Sequence, residues 1–106
     1  MKNPLFDGVV TVYRPGFRQV VEGCRYTWKV GEEESEEGVC RKTAANLYVT
    51  GETYFPQIGD RIYPGVGPET VDWERFLPVC VEGLSQITWV KPHYLFGQLH
   101  HVEAGC

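Results

Sequence analysis

The feature that most constrains this chain is a long alternation centred on Gly23. From Gln19 to Val30, the residues Val20, Cys24, Tyr26, Trp28 and Val30 share one parity, while Gln19, Arg25, Thr27 and Lys29 share the other. Successive side chains of a strand point to opposite faces, so a period of two predicts a half-buried β-strand. Gly23 interrupts the pattern where a bulge or sharp bend lets one long strand serve two parts of a curved sheet. The β-branched run Val9-Val10-Thr11-Val12-Tyr13 precedes it, and Pro15-Gly16 supplies the turn of a hairpin between the two.

The segment Glu32-Glu33-Glu34-Ser35-Glu36-Glu37, bounded by Gly31 and Gly38, predicts an exposed hairpin loop, because like charges repel and cannot be buried cheaply. Beyond it Val39, Thr43, Ala45, Leu47 and Val49 alternate with Lys42, Asn46, Tyr48 and Thr50. That pattern favours a strand, with a helix between Arg41 and Asn46 as the competitor. The run Gly59-Asp60-Arg61-Ile62-Tyr63-Pro64-Gly65 places a short edge strand between two turn pairs. Trp73, Phe76 and Leu77 fall at helical spacing, with Thr70 as a cap and Pro78 as a stop, which predicts at most two helical turns. A strand over 84–90 with Ile87 and Trp89 on one face, a turn around Pro92, and a closing strand from Gln98 to Ala104 complete the pattern.

The fold class that follows is mainly β: a small antiparallel β-barrel or sandwich of about six strands with at most one short helix. A length of 106 residues gives a single β-rich domain over 1–106. Gly and Pro account for 19 of the residues and aromatics for 13%, in keeping with short strands and many turns. A formal charge of −4 argues against sequence-independent binding to a phosphate backbone. No apolar run approaches the roughly 18 residues of a membrane span, and the amino terminus lacks the apolar core of a secretory signal. An intracellular, soluble chain is therefore expected, with Cys24, Cys40, Cys80 and Cys106 as free thiols. Cys24 and Cys80 are expected to pack as small apolar residues.

Chemistry-bearing motifs are sparse. No Cys-x-x-Cys pair occurs, and Gly59, Gly65 and Gly67 do not form a phosphate-cradling loop. Neighbouring residues of a regular strand face apart, so His100 and His101 are not expected to ligate one metal. His101 and Glu103 do share a face, and a Cys from another strand could join them. Asp72 and Glu74 face apart on a short helix, which does not suit paired acid–base work. The expectation is no enzyme, no cofactor, and no catalytic or metal-ligating residue. Surplus Tyr and Trp suit a protein that buries surface against other proteins. The competing reading is a small β-barrel binding module that stacks single-stranded nucleic acid, or holds a small ligand, through Tyr26, Trp28, Tyr48, Tyr54 and Tyr63.

The order of these segments resembles a family of small proteins encoded by tailed phages and prophages of Gram-positive gut bacteria. The resemblance is carried by Val10-Thr11-Val12-Tyr13, Gly23-Cys24-Arg25-Tyr26-Thr27-Trp28 and Ala44-Ala45-Asn46-Leu47-Tyr48-Val49. It continues through Gly59-Asp60-Arg61-Ile62-Tyr63-Pro64-Gly65, Ile87-Thr88-Trp89-Val90 and His101-Val102-Glu103, and so covers nearly the whole chain. Val102 departs from a Trp usual in that family. The resemblance implies a virion structural protein, as a head–tail connector (head-closure or adaptor) or minor capsid subunit. It implies contacts with portal, adaptor or tail components, self-association in a ring, no membrane and no specific nucleic acid. The chain would occupy the host cytoplasm during assembly and then the virion. The surfaces expected to carry such contacts are Glu32, Glu33, Glu34, Glu36 and Glu37, with Tyr54, Phe55, Trp73 and Phe76.

Overall fold

A computed structural model describes residues 8–35, 38–78 and 80–106, with the backbone alone between 30 and 43. Its strands are β1 (Gly8–Arg14), β2 (Phe17–Ser35), β3 (Gly38–Val49), β4 (Arg61–Pro64), β5 (Ser85–Gln86), β6 (Trp89–Leu95) and β7 (Gln98–Gly105). All pairings are antiparallel, in the order β5-β4-β1-β2-β3-β7-β6, and the sheet curls into a half-barrel. The expected all-antiparallel β architecture is present, with seven strands rather than six.

The 19-residue β2 is the spine. Residues up to Cys24 pair with β1, and those from Arg25 onward pair with β3. Gly23 sits between the two with φ 68° and no partner in β1, as the extra residue of a bulge. The bulge corrects one detail of the alternation. An extra residue reverses parity, so Val21 (3% exposed) rather than Val20 joins Cys24 in the core.

The main core gathers Val10, Val12, Val21, Leu47, Ile62, Ile87 and Val102 on the concave face. The reverse face of β1 is also covered, because Tyr13 packs with Phe76 and Leu84 from the segment that links β4 to β5. That segment is pinned by side chains of β1 and β2. Thr11 donates to Gly65 O (2.8 Å) and accepts from Gly67 N (2.8 Å), while Tyr13 and Arg18 donate to Pro68 O.

Three local expectations fail for identifiable reasons. The residues 71–77 make a single turn, in which Arg75 N and Phe76 N both donate to Asp72 O, and no helix occurs among the described residues. Arg61 explains this: its Nη1 donates to Trp73 O (2.5 Å) and Phe76 O (2.9 Å), carbonyls that a longer helix would use itself. Pro92 does not turn the chain but lies within β6, paired with Val102. β6 is the edge of the sheet, where a residue without an N–H is tolerated. The turn comes instead at Phe96-Gly97, and Trp89, expected on one face with Ile87, is 37% exposed while Ile87 is buried.

Candidate functional site

Residues 32–35 of the acidic segment are strand rather than loop, and the flanking glycines do not interrupt it. Gly31 pairs with Lys42 and Ser35 with Gly38, so strand geometry continues along both sides. The register places Glu32 opposite Arg41, Glu33 opposite Cys40 and Glu34 opposite Val39. Glu36 and Glu37 lie outside the described residues. Beyond the Lys29–Ala44 pair, β2 and β3 form a two-stranded arm with no third strand beside it among the described residues. The molecule measures 50 × 28 × 23 Å, and its radius of gyration of 14.5 Å exceeds the ~13 Å of a compact domain this long.

The other expected surface residues divide. Phe55 is exposed, but Tyr54 (4% exposed) and Phe76 (7%) are buried and cannot present a contact surface. Tyr54 donates its hydroxyl to Asp60 Oδ2 at 2.5 Å. Asp60 is itself buried and also accepts from Gln57 N and, through both oxygens, from Arg14 Nε (2.6 Å) and Nη2 (3.0 Å). Burial and the Asp60 carboxylate push the Tyr54 phenol well above its usual range, while the bond to Asp60 raises Arg14. Trp73 is half-buried beneath Arg61, whose guanidinium carbon stands 3.7 Å from the ring centroid. These residues hold the loops of the fold together.

Cys24 is buried and its thiol is pushed up to about 11, mainly by burial, so it is inert as a nucleophile at neutral pH. Cys80, expected to pack inside, is exposed. Of the aromatic residues considered for stacking, Tyr26 turns its hydroxyl inward to Gly83 O and Ser85 Oγ, both at 2.8 Å.

Two features go beyond the sequence expectations, the second only in part. The first is Phe96, at the tip of the β6–β7 hairpin, 96% exposed with φ 53°. Its neighbours Tyr94 and Leu95 are also exposed. Left-handed backbone at a bulky residue is uncommon and costs about 1–3 kcal/mol, here within the tight Phe96-Gly97 turn. The aromatic-glycine pair at a turn was the available signal.

The second is a histidine cluster on the convex face. His93 of β6 lies directly opposite His101 of β7, and the register then shifts so that His100 has no partner. This bulge breaks the regular alternation on which His100 and His101 were expected to face apart. Their rings meet edge to face, with Nδ1 to Nδ1 at 2.9 Å. His93 and His101 stack with centroids 4.4 Å apart, and Glu103 Oε1 stands 3.5 Å from His93 Nε2 and 3.9 Å from His101 Nε2. Burial and the two neighbouring imidazoles lower the pKa of His101, against the pull of Glu103. Tyr48 extends the same face from β3, 6.4 Å from His101.

Comparison with family models, curated proteins and solved structures gives no match to this chain.

Proposed function

We propose that this chain is a non-enzymatic structural subunit of a tailed-phage virion, acting through protein–protein contacts in the head–tail connection region or as a minor capsid subunit. The observation that carries the proposal is the arm formed by β2 and β3. A two-stranded ribbon is marginal by itself in water, and its outer edges, unpaired among the described residues, offer N–H and C=O groups to another chain. Adding a neighbour's strand to such an edge supplies main-chain hydrogen bonds, with side-chain pockets for selectivity. Repeated head to tail around an axis, that contact closes a ring. Phe96, Leu95 and Tyr94 give a second, apolar contact point at the β6–β7 turn. The resemblance in segment order supports the same assignment and names portal, adaptor or tail components as partners.

The test is to replace residues 30–43 with Asn-Gly. Lys29 and Ala44 are a register pair, so a two-residue turn can close the shortened hairpin. The core side chains named above all lie outside the deleted stretch. The trimmed protein is expected to fold with a Tm within a few degrees of the parent, yet to lose incorporation into particles, equivalent to about tenfold or more in affinity. Incorporation at the parental level would overturn the role of the arm.

A further inference from the structure

We infer that His93, His101 and Glu103 form a binding site for a divalent transition-metal ion of the zinc type, on the convex face where β6 pairs with β7. The site is separate from the arm and does not depend on the assembly reading. The donor atoms of the three residues lie within 4.8 Å of one another. A tetrahedral ion with metal–ligand bonds of about 2.0–2.2 Å sets its ligands roughly 3.4 Å apart. The two distances to Glu103 Oε1, 3.5 and 3.9 Å, are already close to that edge. Small rotations of the stacked rings bring the imidazole nitrogens together, leaving a fourth position for water. Two imidazoles and a carboxylate suit zinc and its neighbours in the series, whereas magnesium and calcium prefer oxygen ligands throughout.

The backbone supports the donor set. His101 and Glu103 are two residues apart on β7, and His93 is the direct cross-strand partner of His101. Residues related in this way share one face of a sheet, so two strands present three ligands without a loop.

Two details of the histidines point to an ion. His93 Nε2 is shut off from solvent and has no hydrogen-bond partner among the described residues, although it faces a carboxylate. A buried polar atom without a partner is unfavourable, and a metal bond satisfies it. His100 supplies the outer support. With a proton on His101 Nδ1 donated to His100 Nδ1, the lone pair of His101 is fixed on Nε2, facing Glu103. Such a partner on the second nitrogen commonly sets the tautomer and ring orientation of a ligating histidine. The bulge that brings His100 against His101 is therefore part of the site.

The experiment is titration of the full chain with Zn²⁺, followed by calorimetry and by long-range ¹H–¹⁵N spectra of the histidine rings. One equivalent is expected to bind, shifting Nε2 of both His93 and His101. His93→Gln or His101→Gln should abolish that binding, Glu103→Gln should weaken it, and His100→Gln should cost about ten- to hundredfold in affinity. These side chains are outside the fully buried core, so circular dichroism should show the variants folded. Absence of binding would overturn the site. So would one equivalent bound with the His93 and His101 ring nitrogens unshifted, which would place the ion elsewhere on the chain.

Discussion

Replacing Asp60 with alanine is expected to remove about 3–5 kcal/mol of stability, the usual cost of breaking a buried ion pair by deleting one partner. The carboxylate is 2% exposed and accepts four hydrogen bonds, two from Arg14, one from Tyr54 and one from the backbone of Gln57. Without it, the Arg14 guanidinium loses its partner at the end of β1, and the Tyr54 hydroxyl is left inside the core with no acceptor. The loop from 54 to 60 then keeps its packing and its backbone bonds to Ile87 but loses its polar tie to Arg14 of β1. Domains of this size have about 5–15 kcal/mol in total, so the variant should be largely unfolded or aggregated at moderate temperature. Asp60→Asn keeps the shape and some of the acceptors and should fall between the variant and the parent in denaturant titration. A parental midpoint for Asp60→Ala would show that the network contributes little.

Gly105→Ala is the second large effect, and it acts by crowding. A Cβ at this position would stand 2.3 Å from the carbonyl oxygen of Ala45 and 2.8 Å from the Trp89 ring. Gly105 pairs with Asn46 of β3 on one side and Trp89 of β6 on the other, so the added methyl wedges three strands at once. The first obstacle is backbone and cannot rotate away. Overpacking of a tight site costs about 1–3 kcal/mol, and this position belongs at the upper end, a Tm loss of roughly 10–20 °C. Gly16 provides the contrast. Its Cβ would meet open space, so Gly16→Ala should cost only the strain of its φ of 70°, about 1–2 kcal/mol. Equal midpoints for Gly105→Ala and the parent in thermal melts would refute the crowding argument.

Much of the fold was legible because it rests on local patterns. The alternation through Cys24 and Tyr26, the turn at Pro15-Gly16 and the bend at Gly23 follow from side-chain period and from glycine's access to positive φ, although Trp28, of the same parity, is 40% exposed. What misled the reading was long-range. The parity reversal at Val21 depends on how β1 registers with β2. The lost helix depends on Arg61, twelve residues before Trp73, capturing carbonyls. Pro92 reads as a turn until its strand is known to be an edge.

The candidate sites were legible to different degrees for the same reason. The acidic run of Glu32 to Glu37 is visible in any reading, but its continuation as paired strand is not. Tyr54 and Phe76 resemble surface aromatics in sequence because their buried partners appear only in the fold, Asp60 at the far end of the Tyr54 loop and Tyr13 on β1. The pairing of His93 with His101 needs a register, and the contact of His100 with His101 needs a bulge within that register. Neither can be read from spacing alone.

The assembly assignment is most directly tested by mass spectrometry of particles purified after induction of the host that carries this sequence. The chain should be present in filled virions at several copies per particle, resistant to washing and to removal of free protein. Its absence from particles, with the protein left soluble in the lysate, would contradict the assignment and return attention to the binding-module reading.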